Sequence, residues 1–114
     1  MLATCYLPRA TMMIMDLNEY QKKAHTTALP VKVEGSLAYP VLGLAGEIGE
    51  LINKFKKIYR DDSGTITEAK KAEILEELGD VLWYVSEIAT SFNASLEKVA
   101  EINIEKLEIG RAHV

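Results

Sequence analysis

Gly43-Leu44-Ala45-Gly46-Glu47-Ile48-Gly49-Glu50-Leu51 and, further on, Glu76-Glu77-Leu78-Gly79-Asp80-Val81-Leu82-Trp83-Tyr84 decide how this chain folds. Each segment carries two acids three residues apart, Glu47 with Glu50 and Glu77 with Asp80. A helix turns about 100° per residue, so positions i and i+3 share a face and each pair points one way. Apolar residues recur at helical spacing around them: Leu44, Ile48, Leu51, Ile52, Phe55 and Tyr59 in the first segment, Ile74, Leu78, Val81, Leu82, Val85 and Ala89 in the second. In both segments the acid pair projects roughly 130° from the centre of the apolar stripe. The two helices repeat one design. If their stripes pack together in an antiparallel hairpin, both acid pairs flank the same side of the seam.

Four carboxylates gathered in this way repel one another, by about 0.2–0.5 kcal/mol for each i, i+3 pair on a bare helix, and so invite a counter-ion. Hard oxygen donors suit Mg²⁺ or Mn²⁺, whereas Zn²⁺ would want His or Cys that this stretch lacks. Gly46, Gly49 and Gly79 stand beside the acids and would let another group approach closely. The competing reading makes both acid pairs a solvated helix face with no ligand.

Outward from this centre the chain reads as all-α. Asp16 with Glu19 three residues later marks the start of a first helix to Leu29, with Leu17, Tyr20, Ala24 and Thr27 inward. Pro30 to Pro40 is a linker able to lie over the site as a lid. The second helix starts near Tyr39, with Pro40 in its first turn, and runs to about Tyr59. Asp61-Asp62-Ser63-Gly64-Thr65 has turn composition, and Thr67 caps a third helix from Glu68 to Ser91. Ser95 caps a fourth, to about Ile109, with Leu96, Val99, Ile102 and Leu107 inward. Residues 1–15 and 110–114 read as tails around a single domain over 16–109.

Composition narrows the function classes. A net charge of -4 on 114 residues argues against a nucleic-acid polymer as partner. The lone Cys5 forms no internal disulfide and fits a reducing, cytoplasmic setting. The apolar opening is broken by Pro8 and Arg9, and nothing approaches the ~20 apolar residues of a membrane span. Trp83 projects roughly 150° from its helix's stripe, which points to a second buried surface, with a neighbouring subunit as its expected cover.

Taken together, the Gly43–Glu50 and Glu76–Tyr84 segments resemble the MazG-type all-α nucleoside triphosphate pyrophosphohydrolases, whose signature is an E-x-x-E followed after a helix-loop-helix span by E-x-x-D. Leu17-Asn18-Glu19-Tyr20-Gln21 resembles that family's opening helix and Asn103-Ile104-Glu105-Lys106-Leu107 its C-terminal helix, so the likeness covers roughly residues 16–107. Gly46 stands where many members have Glu, and Arg111 falls one residue late, beside Gly110. The resemblance implies a four-helix MazG-like bundle assembled as a homodimer or homotetramer. It also implies Mg²⁺-dependent hydrolysis of (deoxy)nucleoside triphosphates to the monophosphate and pyrophosphate, as in nucleotide-pool housecleaning, with Mn²⁺ able to substitute.

On that reading Glu47, Glu50, Glu77 and Asp80 hold the metal, Glu47 or Glu50 serves as base, and Lys54, Asn103, Lys106 and His25 contact the substrate. Plainer roles stand beside these. Lys54 sits at i, i+4 from Glu50 and suits a helix salt bridge, His25 a partly exposed packing position, and Asn103 and Lys106 ordinary surface polarity. Two other classes frame the test. A non-enzymatic helical association module would explain the stripes and predicts no metal-dependent turnover. A di-iron bundle needs Glu-x-x-His pairs, and neither His25 nor His113 follows a Glu at that spacing.

Overall fold

Local chemistry sets the helix ends in the computed structural model, which describes residues 15–28 and 37–112. Among these are four helices and no strand: α1 (Leu17–Thr26), α2 (Ala38–Asp61), α3 (Glu68–Ser91) and α4 (Leu96–Ala112). The N-terminal tail through residue 14, the stretch 29–36 that holds most of the expected lid, and the last two residues lie outside the described part. No described helix is long and apolar enough to cross a membrane.

Three of the four helices start on the caps expected from sequence. Asp16 Oδ1 accepts from the Glu19 N–H at 2.7 Å, Thr67 Oγ1 from Lys70 at 3.2 Å and Ser95 Oγ from Lys98 at 3.0 Å. α2 has no side-chain cap, and Pro40 occupies its first turn, where a missing N–H costs nothing. α2 ends as Asp62 and Gly64 donate to the Ile58 carbonyl at 2.9 and 3.2 Å, a closure that places Gly64 at φ +80°. α3 ends with Asn93 at φ +55° and Ala94 N–H on the Ala89 carbonyl at 2.9 Å.

α2 and α3 form an antiparallel hairpin that is the largest contact in the molecule, and α1 lies across α3. The seam does not run along the apolar stripes. It runs along Glu47, Leu51, Lys54 and Ile58 of α2 and Glu73, Glu77, Val81 and Tyr84 of α3, with Ile58 1% exposed. The expected packing of stripe on stripe is therefore overturned: Ile52 stays 61% exposed, Tyr59 72% and Leu78 45%, with Ile48, Phe55 and Leu82 also exposed. Rotating each helix away from its apolar centre moves two acids from the flank into the contact.

α4 departs from expectation as well. Leu96 is buried against the other helices, but Val99, Ile102 and Leu107 are exposed, because α4 is docked by its first turn and projects from Glu101 to Arg111. Trp83 is covered by α1 of its own chain, so the second surface it pointed to is intramolecular. Its indole Nε1 donates to Thr27 Oγ1 at 2.9 Å and to the Ala24 carbonyl at 3.2 Å.

Gln21 ties α1 to the α3–α4 corner. Its Nε2 donates to Thr90 Oγ1 at 3.1 Å and to the Ala94 carbonyl at 2.9 Å, while its Oε1 accepts from the Leu96 N–H at 2.9 Å. Truncation would strand partly buried backbone groups, each costing about 1–3 kcal/mol. Gln21→Ala is expected to lower unfolding stability by about that amount, read from urea denaturation, with α1 losing amide-exchange protection first.

Candidate metal centre

Because the seam runs through Glu47 and Glu77, the hairpin brings acids of both helices together. Glu47, Glu77 and Asp80 each present a carboxylate oxygen, and the three atoms lie within 4.8 Å of one another. Glu47 and Glu77 are half-buried and Asp80 is exposed at the mouth. Glu50 does not join this trio. One helical turn along, it faces solvent, though its charge still acts on Glu47. The glycines beside the acids meet no neighbouring group: a side chain at Gly46, Gly49 or Gly79 would enter open space. The close approach is at Gly43, where the Tyr84 ring occupies the volume a Cβ would need.

The electrostatics follow from this crowding. Burial, then the charges of Asp80, Glu77 and Glu50, push the Glu47 carboxyl above its usual range. Glu77 Oε2 is buried without a hydrogen-bond partner. An orphaned carboxylate oxygen among two more carboxylates is a donor set that fits a hard divalent cation.

Lys54, whose charge acts on Glu77 and Glu50, is held across the seam by Glu73 at 3.2 Å, and Lys70 approaches the same carboxylate at 3.7 Å. Glu73, four residues before Glu77, is a site neighbour that its spacing could have revealed.

An open pocket of about 350 Å³ lies over the carboxylates, lined by Thr27, Glu47, Asp80, Trp83 and Tyr84. Trp83 and Tyr84 meet edge to face, with ring centroids 4.9 Å apart. Burial, followed by Tyr39, Glu47 and Asp80, raises the Tyr84 phenol, and burial with Asp80 and Glu87 does the same for Tyr20 of α1. Tyr84 was legible as the i+4 neighbour of Asp80, but Thr27 and Tyr20 reach the site through tertiary packing alone.

The remaining expected substrate contacts lie elsewhere within one chain. His25 Nδ1 faces the Glu87 carboxylate at 3.2 Å and lines a separate cavity with Gln21, Thr90 and Ser95. Asn103 and Lys106 are exposed on the projecting half of α4.

Comparison with known proteins matches the MazG nucleotide pyrophosphohydrolase domain to residues 38–114, which span α2, α3 and α4 and so include all four acids. The chain belongs to the MazG family. The Gene 37 protein of Mycobacterium phage L5 is 40% identical to this MazG-family chain over 100 residues, covering 82% of this chain and 87% of the phage protein. No solved structure matches. The matched region begins at α2, so α1, which walls the pocket through Thr27, lies outside it.

Two outcomes test this geometry. Because Glu47 holds its proton more tightly folded than unfolded, the stability this confers is fully present below the ordinary Glu range and is lost as pH rises through the raised value. Glu47→Gln should therefore melt about 1–3 °C above the parent at neutral pH without metal, the gap closing on acidification, as read by calorimetry. Gly43→Ala should push the Tyr84 ring off the hairpin and lower the melting temperature by several degrees, about 1–3 kcal/mol of overpacking.

Proposed function

We propose that this chain hydrolyses nucleoside triphosphates to the monophosphate and pyrophosphate at the Glu47–Glu77–Asp80 cluster, with Mg²⁺ as its ion and Mn²⁺ as a substitute. The observation that carries the reading is the buried, unpartnered Oε2 of Glu77 inside a trio of carboxylates on a MazG-family hairpin. The charged groups that line the pocket are both carboxylates and repel a polyphosphate, so the same feature that disfavours the substrate alone favours it together with a cation. When bound, the ion neutralises triphosphate charge and lowers the pKa of a coordinated water.

The chain's own groups divide the remaining work. Glu47, Glu77 and Asp80 hold the ion, and Glu50 adds a fourth carboxylate at the rim. Glu47 or Glu50 serves as the base, taking a proton at a carboxylate oxygen. Lys54 is the expected substrate contact that lies beside the cluster, and it can exchange Glu73 for a phosphate oxygen. Trp83 and Tyr84 form an apolar wall that keeps water from one side of the pocket and sets its width. Release of pyrophosphate follows from the family's chemistry, with cleavage between the α- and β-phosphates.

The test pairs turnover with binding. Common and modified nucleoside triphosphates are screened with Mg²⁺ and Mn²⁺, reading pyrophosphate separately from orthophosphate, and Mg²⁺ is titrated calorimetrically in the presence of a non-hydrolysable triphosphate. Asp80→Asn is expected to abolish the metal signal and reduce turnover roughly 10²-fold or more, with Glu50→Gln weaker in both. Folded variants that bind metal and turn over like the parent would sink the shared site. A parent that releases no pyrophosphate from any triphosphate would leave the association-module reading standing.

A further inference from the structure

The aromatic wall of the pocket is pinned from two sides. Tyr84 fills the space above Gly43, and Trp83 meets the Tyr84 ring edge to face at 4.9 Å. The indole N–H is held by α1. Trp83 Nε1 donates to Thr27 Oγ1 at 2.9 Å and, less closely, to the Ala24 carbonyl at 3.2 Å. Thr27 is the C-cap of α1, and its Oγ1 donates to that same carbonyl at 2.7 Å. A threonine hydroxyl has one proton and two lone pairs. With its proton committed to Ala24, Thr27 meets the indole as an acceptor of fixed orientation, and the three groups close a small triangle of hydrogen bonds.

We infer that Thr27 is a positioning residue for the triphosphate site: it acts through Trp83, fixing the plane of the indole that the nucleoside end of the substrate meets. The inference rests on the proposed triphosphate reading. Thr27 and Trp83 line one pocket with Glu47 and Asp80, and Trp83 follows Asp80 by three residues, one turn along the same helix. Phosphates drawn to the carboxylates by a cation therefore leave the rest of a nucleotide beside the indole.

A ring held at one angle presents a ready surface to a planar base, whereas a ring free to turn must be ordered on binding, at the expense of affinity. The indole N–H is a donor with no acceptor capacity, and α1 takes it up, which leaves the ring to act by contact rather than by hydrogen bonding. Thr27 precedes the matched MazG span and Trp83 lies inside it, so the clasp joins the pocket wall to a helix outside that span.

Thr27→Val keeps the side chain's shape and removes the acceptor, and Thr27→Ser restores it. Thr27 is exposed, so neither change disturbs the core. Trp83 is the one tryptophan of the chain, and its emission reports the ring directly. Thr27→Val is expected to raise KM for a nucleoside triphosphate with Mg²⁺ about 3- to 10-fold, the equivalent of one hydrogen bond, with kcat and calorimetric Mg²⁺ affinity within about twofold of the parent. Acrylamide should quench Trp83 more strongly in Thr27→Val, a non-hydrolysable triphosphate should protect it less, and Thr27→Ser should return each value toward the parent's. Gln21→Ala, which weakens the hold of α1 at another point, should keep the parental KM at temperatures where it is folded.

Thr27→Val with parental KM and quenching overturns the inference. A raised KM with unchanged quenching also overturns it, in favour of direct contact between Thr27 and substrate, and an equal rise in Gln21→Ala overturns it in favour of α1 docking alone. A parent that binds a triphosphate but releases no pyrophosphate defeats the hydrolase reading only, and affinity for the non-hydrolysable triphosphate then decides in place of KM. A parent that binds no triphosphate overturns both.

Discussion

The contact line between α2 and α3 carries carboxylates, and the rest of the structure is arranged around that constraint. Along the seam the layers run from buried Ile58, through Lys54 with Glu73, to Glu47 with Glu77, and finally to Gly43 beneath Tyr84. Apolar packing closes one end and a tight ring-on-backbone contact closes the other. In the Glu47–Glu77 layer, burial and the like charges of Asp80, Glu77 and Glu50 together raise Glu47. A hairpin optimised only for stability would place its apolar centres in the seam. This one gives up part of that contact to hold a charge cluster at a fixed spacing, the kind of local cost that marks a functional site.

α1 turns the cluster from a surface feature into the floor of a pocket. Its hold on α3 is polar as much as apolar: Gln21 at the α3–α4 corner, His25 opposite Glu87, and Thr27 with Ala24 on the Trp83 indole. Trp83 thereby gains a hydrogen-bond partner for its Nε1 and stands as a wall beside Asp80. α1 precedes the region matched to the MazG domain, so the aromatic side of the pocket, Trp83 and Tyr84 of α3, lies inside the matched span while Thr27, which completes the lining, lies outside it.

The hairpin has two flanks of opposite character. One carries Glu50, Asp80 and the pocket, and the other carries Ile48, Ile52, Phe55, Leu78 and Leu82. Separating them this way keeps the carboxylates off the apolar flank, so no unpaired charge stands among its side chains.

Helix positions, their caps and the acid pairs were legible in the sequence, because each depends on residues no more than a few positions apart. Asp16, Thr67 and Ser95 cap by reaching the N–H three residues on, Gly64 and Asn93 end helices by adopting positive φ, and i, i+3 spacing puts two carboxylates on one face wherever the helix lies. The rotation of each helix about its own axis was not legible. The apolar projection locates the greasy side, but it does not say whether that side faces the partner helix of the same chain or remains exposed. Pairings between distant residues decide this: Gly43 with Tyr84, Lys54 with Glu73, and Thr27 with Trp83. Those contacts set the seam on Glu47 and Glu77, leave Glu50 at the rim, tuck Trp83 under α1 and send α4 outward with Asn103 and Lys106. Sequence determined the helices and the faces on which their acids stand; tertiary structure decided which acids meet, because only packing between residues far apart in the chain fixes how each helix is turned.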